Sequence, residues 1–400
     1  MFFRVHTLFC SKRKQTPVWH VFFFVSDGCP RYLRSMLRKN RKDRARILGE
    51  TTESEARMMA LLHGRAGRLP TGESLTPPIV NAAKYALPGS PDHPMPYGRY
   101  DNPTWQSVER AIGALEDAET VCFPSGMAAV TAAIMASLTP KSSVLLPSDG
   151  YHTVRVLLQE FFHQHEISVT EVPTRQMTTH NVEGYDLVWL ETPSNPGLDV
   201  CDIAAIAQRT HAAGGLVCVD NTTATPLLQR PLGLGADITV SSDTKALAGH
   251  SDVLFGHVSS RNGQIMERVR QWRKLSGSTP GPAEAYLAYR GLMTLELRLS
   301  RMCDNADALA NLFYTHKAVK SVRFPGLADD PSCASASTAE SFINDCPAIF
   351  AATSFGGIQT SAERRARWGD AVPESYVRLS AGCEPTKALI DTIRATLDSL

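Results

Sequence analysis

No two of the nine cysteines stand at C-x-x-C spacing, and their number is odd. That excludes zinc ribbons, thioredoxin-like redox motifs and an even disulfide framework, and it argues for a reducing compartment. Cys122 and Cys218 lie inside apolar runs and read as small core residues. Long apolar runs are missing as well. In the first fifty residues the longest, Val18–Val25, has eight residues and includes His20, whereas a bilayer-crossing helix needs about 20. No A-x-A cleavage site follows it, which disfavours secretion. There is no Walker A loop, and no G-x-G-x-x-G follows a strand. Gly233-Leu234-Gly235 precedes a strand and reads as a turn. No metal site is expected.

Net charge is almost absent, at +1 over 400 residues, which excludes a uniformly basic nucleic-acid binder. The near-zero sum hides a split. Residues 1–46 hold twelve Lys/Arg against two acids, a net +10, while the other 354 residues hold 29 Lys/Arg against 38 Asp/Glu, a net −9. An acidic body therefore carries a basic arm. The arm reads either as a mitochondrial-type transit peptide or as residues ahead of a true start at Met36, Met58 or Met59. The body reads as cytoplasmic, or as mitochondrial if the arm targets it.

What is present is ordinary globular composition, 43% hydrophobic and 20% charged, enough for sizeable cores and too apolar for disorder. We expect a basic arm over 1–50, an irregular segment over 51–95, an α/β domain over 96–275 and a smaller α/β domain over 276–400. The breaker run Ser276-Gly277-Ser278-Thr279-Pro280-Gly281-Pro282 marks the last boundary. From Glu119 short apolar runs alternate with helical periodicity. Strands are expected at 120–123, 144–147, 187–191, 215–220, 238–241 and 255–259, with helices at 126–138, 154–162 and 203–213. That alternation implies βαβ units and a mostly parallel sheet. Residues 282–315 read as helical with an interruption at Gly291, 321–324 and 376–380 as strands, and 385–397 as a terminal helix.

Such a sheet binds ligands at the carboxyl ends of its strands. Ser125-Gly126-Met127 lies where a strand gives way to a helix, whose N-terminal N–H groups suit a phosphate. Asp220 ends a buried strand and needs a charged partner there. Lys245 follows in Ser242-Asp243-Thr244-Lys245. A phosphate-binding helix terminus, a buried Asp and a later Lys match what pyridoxal phosphate requires, the Lys for a Schiff base and the Asp for the pyridine nitrogen.

With these residues in place the chain resembles the Cys/Met-metabolism family of pyridoxal-phosphate enzymes, from about His63 to the C-terminus. The resemblance rests on Tyr97-Gly98-Arg99 before Asn102-Pro103-Thr104, Ser125-Gly126-Met127 and Asp149-Gly150-Tyr151. It continues through Glu191-Thr192-Pro193-Ser194-Asn195-Pro196, Asp220-Asn221-Thr222 and Ser242-x-Thr244-Lys245. It ends with Gly249-His250-Ser251-Asp252, Ser354-x-Gly356-Gly357 and Val377-Arg378-Leu379-Ser380. It implies an aspartate aminotransferase-like, fold type I architecture, with a large mostly parallel sheet domain and a smaller C-terminal α/β domain.

The roles it implies are specific. Lys245 carries pyridoxal 5'-phosphate and moves protons, and Asp220 pairs with the pyridine nitrogen. Gly126, Met127, Ser242 and Thr244 cradle the phosphate, with Tyr97 and Arg99 reaching it from a neighbouring subunit. Tyr151 stacks on the ring and serves as an acid–base group. Arg378 forks onto the substrate carboxylate, with Asn195 and Ser354 beside it. His152 and His250 are expected to be hydrogen-bonded loop residues.

The implied reaction is γ-elimination of the sulfur amino acid L-cystathionine to cysteine, 2-oxobutyrate and ammonia, in a homotetramer of two active dimers. Alternatives that share every cofactor residue are γ-replacement, β-elimination and γ-elimination of methionine. A further alternative is a homologue that keeps the fold without turnover. Three departures from the family pattern stand out: Gln359 where a Glu is frequent, His152 in the tyrosine loop, and a short stretch between Pro325-Gly326-Leu327 and Ser354. The last suggests a missing strand in the small sheet and an unpaired edge near Arg378.

Overall fold

The computed structural model describes residues 53–65, 69–90, 95, 97–324, 336–370 and 372–400. The basic arm, Cys10, Cys29, Cys333 and Pro325-Gly326-Leu327 lie outside the described residues. Contacts divide the chain into Met1–Glu55 and Ala56–Leu400, and the elements that build the site belong to the second unit.

Seven strands form the large sheet: β1 (Glu119–Phe123), β2 (Ser143–Pro147), β3 (Ser168–Val172), β4 (Leu187–Glu191), β5 (Leu216–Asp220), β6 (Ile238–Ser241) and β7 (Gly256–Ser260). Their spatial order is β1-β7-β6-β5-β4-β2-β3. Among these described strands β7 runs antiparallel to its neighbours, and the other pairs are parallel.

The strands are apolar in both alternating registers because both faces are covered. Leu187 and Trp189 pack on one side with α2 (Gly126–Ser137), α3 (His152–Phe161) and α5 (Gly263–Ser276). Val188 and Leu190 pack on the other with α4 (Ile203–Ala212). Near β1 that second face is covered by α1 (Pro103–Glu116) and α6 (Pro282–Leu292), through Trp105, Ile112, Cys122 and Leu292. Each such fully buried aliphatic or aromatic side chain contributes about 1.5–3 kcal/mol.

Local signals set the helix starts. Asn102 accepts from the Thr104 N–H ahead of Pro103, and Ser125 Oγ accepts from Ala128 N at 3.1 Å, as N-cap side chains do. The helical stretch after 282 breaks at Met293-Thr294, two residues beyond Gly291, and resumes as α7 (Leu295–Thr315).

The C-terminal part adds α8 (Ala336–Asp345), β8 (Phe350–Ala351), β9 (Ser361–Arg364), β10 (Val377–Ser380) and α9 (Thr386–Ser399), with sheet order β10-β9-β8. Two expectations need correction. The segment 51–95 contains a helix, Glu53–His63, whose Met58 and Leu61 are buried. Residues 321–324 form no strand: among the described residues no sheet edge pairs with them, and a strand needs such a partner to satisfy its backbone groups. Among the described residues β10, which carries Arg378, is an edge strand. A cavity of about 640 Å³ lies behind it, lined by Phe313, Val319, Phe342, Val377 and Leu397 and touching Arg378 but not Lys245 or Asp220. No described helix is long and apolar enough to cross a membrane.

Candidate active site

Parallel strands bring their last residues to one edge of the sheet. Glu191 ends β4 and Asp220 ends β5, directly paired across the ladder, and Ser241 ends β6 just before Ser242 and Lys245. The crevice expected for an α/β sheet therefore collects the residues that the motifs single out.

Lys245 sits in a tight turn. Its N–H bonds to Ser242 O at 3.1 Å, and its carbonyl accepts from Gly249 N at 2.8 Å. Its Nζ makes no hydrogen bond or ion pair with the described residues and lies 5.5 Å from the centre of the Phe355 ring. Burial lowers its pKa, the positive charge of Arg378 lowers it further, and Asp220 acts the other way. The turn is closely covered. A Cβ on Gly126 would come within 2.5 Å of Ser242 Cβ, and one on Gly356, whose φ is +78°, within 2.7 Å of Ala246 N. Only glycine permits either approach. Arg298 clamps the far side, donating from Nη1 to Ala246 O at 2.6 Å and from Nη2 to Leu247 O at 3.0 Å.

Asp220 is buried and has no ion pair within 4 Å among the described residues. Its Oδ1 accepts from Thr222 N at 2.9 Å. Burial raises its pKa, while the Thr222 hydrogen bonds and the charges of Lys245 and His257 pull it down. Such a carboxylate suits a cationic ring nitrogen. At the start of α2 the N–H groups of Gly126 and Met127 find no acceptor among the described residues, since Ser125 already serves Ala128 and Ala129. With Ser242 Oγ against Gly126, they form a donor cluster at a helix N-terminus that fits a phosphate. A lysine of lowered pKa, a buried carboxylate and this donor cluster together fit pyridoxal phosphate. Thr244 does not join the cluster as expected: its hydroxyl donates to Phe255 O at 3.2 Å and accepts from Phe255 N at 2.9 Å.

Arg378 Nη1 donates to Asn195 Oδ1 at 2.6 Å, and Nη2 donates to Ser354 O at 3.1 Å and to Glu363 Oε1. The edge position of β10 thus leaves Arg378 held on three sides. Glu363 is itself buried. Burial would raise its carboxyl, but hydrogen bonds from Arg365 and Trp368 hold it below the ordinary range. Phe355 lies under both cations, 5.4 Å from Arg378 Cζ. Ser354 is exposed, with φ +84°. Tyr151, 39% exposed, precedes α3, and its hydroxyl has no partner among the described residues.

Among the described residues Tyr97 and Arg99 make no hydrogen bond, ion pair or ring contact with Lys245, Asp220 or Arg378. Arg99 stacks its guanidinium on Tyr97 and Tyr100 and donates to Lys274 O. His250 Nδ1 lies 2.7 Å from Ala248 O, and His152 packs on Tyr151.

Several residues of the site were not assigned roles from sequence: Glu191, Phe355, Arg298, Glu363 and a buried cluster of Asp243, His257 and Glu116. His257 Nδ1 lies 2.7 Å from Asp243 Oδ1, and its Nε2 faces Glu116 Oε1 at 3.4 Å. Burial alone would lower its pKa, but the two carboxylates raise it to about 10.

The Cys/Met metabolism PLP-dependent enzyme family matches residues 60–351. A putative cystathionine gamma-lyase of Streptomyces coelicolor is 44% identical over 81% of this chain and 89% of its own. An L-methionine gamma-lyase of Treponema denticola is 33% identical over 76% and 85%. A solved structure of cystathionine gamma synthase from Xanthomonas oryzae, in complex with cystathionine, superposes with a TM-score of 0.80 at 28% identity, covering 86% of this chain and 97% of that one. The architecture is thus that of fold type I enzymes using pyridoxal phosphate, and the chain belongs to the Cys/Met metabolism family of PLP-dependent enzymes.

Proposed function

We propose that the chain catalyses γ-elimination of L-cystathionine to cysteine, 2-oxobutyrate and ammonia. The observation that carries amino-acid chemistry at this site is the placement of Lys245, its pKa lowered, with Asp220 and Arg378 acting on it. The 44% identity to a putative cystathionine gamma-lyase supports the choice of reaction.

Gly126 N–H, Met127 N–H and Ser242 Oγ would hold the phosphate, Asp220 would pair with the pyridine nitrogen, and Tyr151 would supply a ring to stack on the cofactor. Bound pyridoxal phosphate supplies an electron sink for charge developing at the substrate α-carbon. Arg378, oriented by Asn195, Ser354 and Glu363, binds the α-carboxylate. Lys245 Nζ takes the α-proton. Once it has passed that proton on, the same Nζ takes a β-proton, which lets the Cγ–S bond break, and the Tyr151 hydroxyl donates a proton to the departing sulfur. One water then completes the balance to 2-oxobutyrate and ammonia.

Tyr97 and Arg99, both exposed, serve the phosphate of a second copy in a homotetramer. The reaction is cytoplasmic unless residues 1–50 direct the chain elsewhere. γ-Replacement is the second reading, favoured by relatives named cystathionine gamma-synthase. Product analysis with L-cystathionine separates the two.

A further inference from the structure

The Glu191 side chain makes no hydrogen bond to the Tyr151 hydroxyl or the Arg378 guanidinium, yet it bonds to the backbone of the loops that carry Tyr151 and Asn195. Its Oε2 accepts from Tyr151 N at 2.5 Å and its Oε1 accepts from Asn195 N at 2.9 Å. Tyr151 opens α3 in the loop after β2. Asn195 lies beyond the neighbouring strand β4 and passes the restraint on to Arg378 through its Oδ1, 2.6 Å from Nη1. The carboxylate is 5% exposed, so water does not compete for either N–H. Close approach is built in: a Cβ on Gly150 would meet Glu191 Oε2 at 2.9 Å. A smaller polar residue would not span both loops, and an amide would turn a donor toward one of the two N–H groups.

We propose that Glu191 is a positioning residue, a single carboxyl brace that sets the Tyr151 ring and the Asn195–Arg378 pair at a fixed separation across the bound cofactor and substrate. The inference rests on the assignment of Lys245, Tyr151 and Arg378 made above.

The same carboxyl is a titrating group. Burial raises its pKa, Asp220 beside it raises it further, the two backbone N–H groups act downward and Asp149 upward, to about 8. The charged groups that face it are Asp220 from β5 and Asp149 from the loop after β2, and Asp220 is in turn acted on by Lys245 and His257.

The test compares wild type and E191Q, each loaded with pyridoxal phosphate. Two dissociation constants are measured: that of pyridoxal phosphate from the protein, and that of glycine, which has no γ-carbon to lose, by its effect on the visible absorption. Borohydride reduction of the wild type with peptide mapping checks the underlying assignment. We expect E191Q to weaken both constants about tenfold, and to lose an inflection near pH 8 that the wild type shows in glycine affinity. A folded E191Q with both constants within about threefold of wild type, or with only its thermal midpoint changed, overturns the brace. If E191Q does not fold, Gly150→Ala decides: it crowds Oε2 and should weaken cofactor affinity several-fold, and unchanged affinity overturns the proposal. A borohydride label on a lysine other than Lys245 would instead overturn the site assignment, whatever E191Q does.

Discussion

Arg378 and Asn195 meet at 2.6 Å, Nη1 to Oδ1, across 183 residues of sequence. The contact ties the edge strand of the small sheet to the loop that leaves the fifth position of the large one. The same guanidinium donates to Ser354 O and Glu363, so its orientation is set before any carboxylate arrives.

Arg378→Lys should therefore cost more than a charge-conserving change suggests. A lysine ammonium keeps the charge but not the planar fork, and a lost hydrogen bond to a charged group is worth about 1.5–3 kcal/mol. We expect kcat/KM for the amino-acid substrate to fall roughly ten- to hundredfold, with most of the change in KM. Steady-state kinetics of the purified variant measure it.

Lys245→Ala should leave the fold intact, since Nζ makes no hydrogen bond that holds the turn together. The purified wild type is expected to be yellow with bound cofactor, and the variant colourless. Turnover should drop by about 10²–10⁴-fold, the range for loss of a positioned acid–base group. Absorption spectra and activity of the same samples check both points.

His257 gives the stability a defined alkaline limb. Its carboxylate partners raise its pKa from 6.5 to about 10. A group whose folded pKa is raised stabilises in full below its unfolded value, so this contribution is complete below pH 6.5 and is lost as pH rises through 10. Loss of the proton leaves Asp243 and Glu116 buried together without a counter-charge. The thermal midpoint of the wild type should fall by several degrees between pH 8 and 10. The double variant His257→Leu/Asp243→Ala should show a flatter profile over the same window.

Arg99 supplies a test of assembly. It stacks on Tyr97 and Tyr100 and makes no hydrogen bond or ring contact with Lys245 among the described residues. If it serves a second copy, light scattering should give a tetramer, and Arg99→Ala should weaken cofactor binding about tenfold. A wild-type monomer that binds cofactor tightly would contradict this role.

The parts of the molecule visible in the sequence are those with short-range signals. Leu187–Glu191 and Ile238–Ser241 read correctly to the residue, because continuous β-branched and apolar runs bounded by polar residues mark buried parallel strands. β3 was not visible, since its residues are mostly exposed or half-buried at the sheet edge, and β9, Ser-Ala-Glu-Arg, has no strand-like composition. Residues 321–324 have strand-forming character but join neither sheet among the described residues. At the site, Lys245 and Asp220 stand in recognisable motifs. Thr244 stands in one too, but its hydroxyl is taken by Phe255, which no local pattern announces. The Asp243–His257–Glu116 cluster was hidden for the same reason: Glu116 and His257 lie 141 positions apart on elements that only the fold brings together, and a single histidine in a strand carries no periodicity.

The most direct measurement is product analysis after incubating the cofactor-loaded wild type with L-cystathionine. The account predicts cysteine, 2-oxobutyrate and ammonia in equal amounts. Homocysteine and pyruvate as the only carbon products, or a yellow protein that releases nothing, would contradict it.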